Sequence, residues 1–116
     1  MRDWFGANAS SGWATCPITE SGFVRVSTNP KVFPHPIGIV DARLVISALK
    51  DTAGHRFLVD DVSIVDGDIP AIAGHRQVTD AHLLALARRR GLRLVTFDAA
   101  IVTLANGRGV ELLTAL

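Results

Sequence analysis

The chain has one cysteine, Cys16, so no internal disulfide is open to it. It also lacks an excess of either charge: twelve Lys plus Arg face eleven Asp plus Glu, a net charge of +1. That balance excludes a global field steering the molecule onto polyanions and leaves only local patches for nucleic-acid contact. No apolar run approaches the ~20 residues of a membrane span, so no membrane role is expected. Met1, Arg2, Asp3, Trp4 and Phe5 lack the basic start and apolar core of a secretory signal, which makes the cytoplasm the expected compartment. Repeats, low-complexity tracts and long charge runs are absent as well. His35, His55, His75 and His82 fall at no spacing typical of zinc, and no GxGxxG or Walker string follows a strand.

What the sequence does have is a globular composition. Its 116 residues are 48% apolar and 20% charged, the size and make-up of a single domain spanning residues 1–116. Trp13 to Cys16 reads as a short strand, Pro17 suits the first position of a helix, and Ile18 to Val26 carries apolar residues at helical spacing. Ser27 to Gly38 gathers Asn29, Pro30, Pro34 and Pro36 and reads as an ordered loop. Asp41 to Leu49 predicts an amphipathic helix with Leu44, Val45, Ala48 and Leu49 inward, followed by a short extended segment at His55 to Leu58.

Thr79 is placed to cap a helix through Arg90, whose apolar face is Ala81, Leu84 and Ala85 with Leu83 and Ala87. Arg88, Arg89, Arg90 and Gly91 supply the cations and the glycine that end it. Leu92 to Phe97 predicts a buried strand, Asp98 caps a helix from Ala99 to about Ala105, and Val110 to Leu113 predicts a last strand. Strands alternating with helices through short turns imply an α/β fold with a parallel sheet.

Functional groups in such sheets gather at the carboxyl ends of strands and the amino ends of the helices that follow. Glu20 falls just after the first strand, Asp80 opens the helix begun at Thr79, and Asp98 ends the strand Leu92 to Phe97. Thr96 lies two residues before Asp98 on the same strand face. Ionised carboxylates side by side repel unless a cation neutralises them, and hard oxygen donors favour Mg²⁺ or Mn²⁺, ions that serve phosphodiester hydrolysis. Each residue also has an ordinary structural role: Asp80 complements a helix dipole, Asp98 caps a helix, and Thr96 is a β-branched strand residue. Likewise His75 and Arg76 read as a solvated turn, Arg88 to Arg90 as helix-terminal charges, and Trp4, Phe5 and Trp13 as core or interface aromatics.

The strings TCPITESGFVRVSTNP (Thr15 to Pro30), HRFLVDDVSI (His55 to Ile64) and GHRQVTDAHLLALARRRGLRLVTFDAA (Gly74 to Ala100) resemble the PIN-domain toxins of bacterial toxin–antitoxin modules, the VapC ribonucleases. The resemblance implies a three-layer α/β/α sandwich and a Mg²⁺-dependent endoribonuclease, Mn²⁺ being an alternative ion. Structured RNA such as tRNA or rRNA is the implied substrate, a homodimer the implied assembly and a VapB-type antitoxin the implied partner. Glu20, Asp80 and Asp98 match the family's metal-binding acids and Thr96 its accompanying hydroxyl. The family's opening strand, which carries an aspartate, has no match here; Asp3 falls in a segment expected to be helical. The expectation is therefore a domain without its central first strand, with unpaired backbone edges and a tendency to aggregate. A non-catalytic, antitoxin-binding module is the alternative function.

Overall fold

A computed structural model of the chain describes residues 12–96, 104–105 and 108–112. The expectations at Trp4, Phe5, Arg2 to Asn8, Phe97 and Asp98, and all but the end of the helix expected at Ala99 to Ala105, lie outside the described residues. The chain divides into two compact units, Met1–Asp60 and Asp61–Leu116. The described strands form two parallel pairs, one in each unit, and with the helices make an α/β chain.

In the first unit β1 (Trp13–Thr15) leads through α1 (Pro17–Ser27) and α2 (Ile39–Lys50) to β2 (His55–Phe57). A parallel pair cannot be closed by a tight turn, and the two helices supply the crossover. Trp13 lies opposite His55, Ala14 opposite Arg56 and Thr15 opposite Phe57. Cys16, 2% exposed and extended at φ −136°, is the N-cap of α1, and Pro17 takes the first helical position, where its missing N–H costs nothing. The Cys16 backbone N–H donates to Thr19 Oγ1 at 2.9 Å, one half of a capping box. At the other end Ser27 Oγ and Thr28 Oγ1 donate to the carbonyls of Phe23 and Val24, each at 2.7 Å, the second adding to the bond that the Thr28 amide already makes to Val24. The proline-rich stretch that follows is ordered, as expected: the Asn29 carbonyl accepts the amides of Val32 and Phe33 at 3.0 Å.

The inward face expected for α2 is not the one observed. Leu44 is 63% exposed and Val45 and Ala48 are exposed too, whereas Ala42 is fully buried. Apolar residues at 39, 40, 44, 45, 48 and 49 cover so wide an arc that periodicity does not single out the packed side. The helix instead brings its small Ala42 to the close contact.

In the second unit a 3₁₀ turn (His75–Gln77) runs into α3 (Val78–Arg89), followed by β3 (Leu94–Thr96) and β4 (Val110–Leu112), with Leu94, Val95 and Thr96 opposite Val110, Glu111 and Leu112. Ala81, Leu84, Ala85 and Ala87 of α3 are buried as expected, whereas Leu83 is only half-buried and Leu86, which was not expected, is buried with them. Leu84 and Ala105 form a core against which Leu94 packs. The C-terminus also follows expectation, since Gly91 has φ +67°, a conformation that glycine adopts without strain. The N-terminus does not: Gln77 is the cap residue and Thr79 lies inside the helix. The Gln77 amide already donates to the Gly74 carbonyl at 3.0 Å, so the chain is wound before Val78 and Thr79 never has the extended backbone that a cap requires.

The three arginines ending this region are held by named partners. Arg88 donates to the carbonyls of Ala105 and Arg108 at 3.1 and 3.0 Å. Arg89 pairs with Asp66 at 2.6 Å and with Asp68, and Arg90 pairs with Asp61 at 2.8 Å. Asp61 and Asp68 are held below the usual carboxylate range mainly by their arginines, and Asp66 mainly by the Ser63 backbone N–H, then by Arg89. A lowered carboxylate contributes stability above its unfolded-state pKa and loses it as pH falls through its folded-state pKa. Acidification below about pH 4 therefore releases residues 61–68 from α3. Limited proteolysis should find this loop protected at pH 7 and cut faster near pH 3 by an acid-active protease, with Arg89→Met exposing it already at pH 7.

Candidate functional site

The alternation of side chains along a strand places Trp13 and Thr15 of β1 on the same face as His55 and Phe57 of β2. On that face the indole of Trp13 meets the His55 ring edge-on, with centroids 4.6 Å apart and planes at 62°. Thr15 Oγ1 lies 2.8 Å from His55 Nε2, a diagonal cross-strand contact. The same hydroxyl donates to Glu20 Oε2 at 2.5 Å. Glu20 comes within reach because the strand ends at Thr15 and the helix starts at Pro17, which sets the carboxylate in the first turn, where the helix dipole favours it.

Lys50, in the last turn of α2, completes the cluster. Its Nζ is 3.1 Å from both Glu20 oxygens and 4.5 Å from the centre of the Phe57 ring. With 32% of the Lys50 side chain and 20% of the Glu20 side chain exposed, such a pair contributes about 0.2–1 kcal/mol, small enough for another cation to replace the ammonium. Burial, with Lys50 second, holds His55 below its ordinary pKa against the opposing pull of Glu20, so the neutral imidazole is favoured. Glu20 and Lys50 open onto a groove between α1 and α2 lined also by Arg25, Arg43, Ser47 and Asp51.

Of the four expected site residues, Glu20 is thus a partly buried, doubly anchored carboxylate of the first unit. Asp80 lies partly buried in the first turn of α3, as expected from sequence, one turn before the core residue Leu84. Thr96 is the last residue of β3, opposite Leu112. Asp98 lies outside the described residues. Among the described residues no three His, Cys, Asp or Glu side chains gather as a metal site, and the expected set includes Asp98.

Glu20 by itself offers the oxygen donors that a hard divalent ion takes, and it already draws a positive charge onto both of its oxygens. Thr15, Lys50 and His55 were not picked out from sequence as parts of this cluster. The signal was present in the period-2 spacing of Trp13 and Thr15 and of His55 and Phe57, and it becomes readable only when the two strands are paired in register.

Glu20, in the first turn of the helix after β1, and Asp80, in the first turn of α3, each stand at a helix start of an α/β chain. Comparison with known proteins names the group. The chain is 69% identical over 119 aligned positions to Ribonuclease VapC38 of Mycobacterium tuberculosis, a match covering 100% of this chain and 84% of that protein. It is 47% identical over 113 positions to Ribonuclease VapC39 of the same species, with 95% and 81% covered, and 41% identical over 103 positions to Ribonuclease VapC44, with 86% and 72% covered. No family model matches the chain. At this identity and coverage it belongs to the VapC ribonuclease family. No helix among the described residues is long and apolar enough to cross a membrane.

Proposed function

We propose that the protein is a toxin of a type II toxin–antitoxin pair: an endoribonuclease that hydrolyses phosphodiester bonds of structured RNA, tRNA or rRNA, with Mg²⁺ as the resident ion and Mn²⁺ as a substitute. In this reading the chain forms a PIN-like three-layer α/β/α sandwich. Glu20, Asp80 and Asp98 hold the ion, and Thr96 supplies a hydroxyl beside Asp98. The ion, when bound, lowers the pKa of water and neutralises charge on the phosphate. The carboxylates fix where it sits, and the Thr15 and Lys50 contacts keep Glu20 in one orientation.

The observation carrying the proposal is that a chain 69% identical to a protein named a ribonuclease has its Glu20 carboxylate anchored at a strand-to-helix junction beside a cationic groove. Arg25 and Arg43 give that groove local positive groups of the kind an RNA backbone needs, in a chain whose net charge is only +1. The names of the relatives favour this catalytic reading over the non-catalytic module. A VapB-type antitoxin is the proposed partner and a homodimer the proposed assembly.

The test is cleavage of tRNA and rRNA by the purified chain in Mg²⁺, in excess EDTA, and after Mg²⁺ is restored. Fragments should appear in the first and third conditions and not in the second. Equal cleavage in all three, or none in any, would reject the proposal.

A further inference from the structure

The Thr15 hydroxyl stands between two groups, Glu20 Oε2 at 2.5 Å and His55 Nε2 at 2.8 Å, and it has one hydrogen to give. Two arrangements satisfy both contacts. In one, the hydroxyl donates to an ionised Glu20 and accepts from a hydrogen on His55 Nε2. In the other, a protonated Glu20 donates to Thr15, which donates to a bare Nε2. The Thr15 hydroxyl donates across the shorter contact, to Glu20 Oε2, which is the first arrangement and leaves its oxygen to accept from His55 Nε2.

The hydrogen-bond direction is thereby set along the whole chain of contacts: His55 Nε2–H to Thr15, Thr15 O–H to Glu20. The imidazole is the Nε2–H tautomer, its plane fixed by the edge-on contact with Trp13. The donors come from both strands of the pair while the acceptor comes from the helix after β1, so strand register decides where the carboxylate points.

Building on the reading of Glu20 as a metal ligand, we infer that Thr15 and His55 are positioning residues that hold the Glu20 carboxylate in the orientation a divalent ion requires. Glutamate has three side-chain torsions. Helix packing limits the first two, and the Thr15 hydrogen bond, braced by His55, limits the last. Groups that orient a ligand in this way typically change metal affinity 10–100-fold when removed.

The test uses the full chain and Mn²⁺ alone as probe, with free Mn²⁺ followed by electron paramagnetic resonance. Thr15→Val, which keeps the shape and loses the hydroxyl, and His55→Phe, which keeps a ring against Trp13 and loses the donor, should each weaken Mn²⁺ binding by about 10-fold. Thr15→Ser should restore it. In the metal-free wild type, long-range ¹⁵N–¹H correlation should find the hydrogen of the His55 ring on Nε2. Thr15→Val binding as tightly as wild type, while Glu20→Gln binds more weakly, would overturn the positioning role and leave Glu20 as a ligand. Glu20→Gln binding as tightly as wild type would instead remove the metal-ligand reading, and the inference with it. A hydrogen on Nδ1 in the wild type overturns the inference without reference to any metal, as does failure of serine to rescue.

Discussion

Asp80→Asn lowers metal-dependent RNA cleavage by about 100-fold or more, the scale of losing an interaction worth roughly 3 kcal/mol in the transition state. The substitution keeps the size of the side chain and removes one negative charge from the set proposed to hold the ion. Its effect on folding is far smaller. A carboxylate in the first turn of α3 gains about 0.3–1 kcal/mol from the helix dipole, so the melting temperature should fall by no more than about 5 °C. The separation of the two readouts is what gives the variant its value. If Asp80 were only a helix-terminal charge, activity would track the small change in stability and cleavage would stay near wild type. Single-turnover rates at saturating Mg²⁺, with thermal melts of the same samples, decide between them.

Leu84→Ala has the largest expected effect on stability. Leu84 is fully buried, it packs with Ala105 and Leu94, and its neighbours Ala81 and Ala85 are too small to fill the space that a lost isobutyl group leaves. Truncation at such a site costs about 2–5 kcal/mol, the range depending on how far the surroundings collapse. A drop in melting temperature of about 10 °C or more follows, with Leu84→Met costing under about 1.5 kcal/mol as the volume-conserving control. Because Leu84 lies one turn after Asp80 on α3, the Ala variant also loosens the seat of that carboxylate, and its residual cleavage should fall more steeply on warming than that of wild type.

Local chemistry was legible in the sequence wherever a single residue type decides the backbone. Pro17 opening α1 and Gly91 closing α3 are cases in which a fixed or a positive φ leaves few alternatives. Most of the apolar face of α3 was readable from its spacing, but Leu84 to Ala87 are buried in succession, a wider arc than one stripe, and Leu86 was missed. Where several residues could do the same job, neighbours decided the outcome. On α2 the broad apolar arc did not fix a face, and close packing selected Ala42 over Leu44. At the start of α3, Thr79 had the right side chain, but the turn before it wound the backbone too early. Glu20 could be found from its place after a strand, whereas His55 reaches Thr15 and Lys50 reaches Glu20 only through strand pairing and helix packing, across 40 and 30 positions of sequence that no local pattern spans.

The run Arg88-Arg89-Arg90 has the look of a polyanion-binding tract, yet each guanidinium is already engaged, one by backbone carbonyls and two by aspartates. Counterions condensed on RNA are released only by cations that come to lie against phosphate. The slope of log affinity against log salt should therefore count the groove residues Arg25 and Arg43 and omit this tract, so that neutralising all three of its arginines leaves the slope where it was.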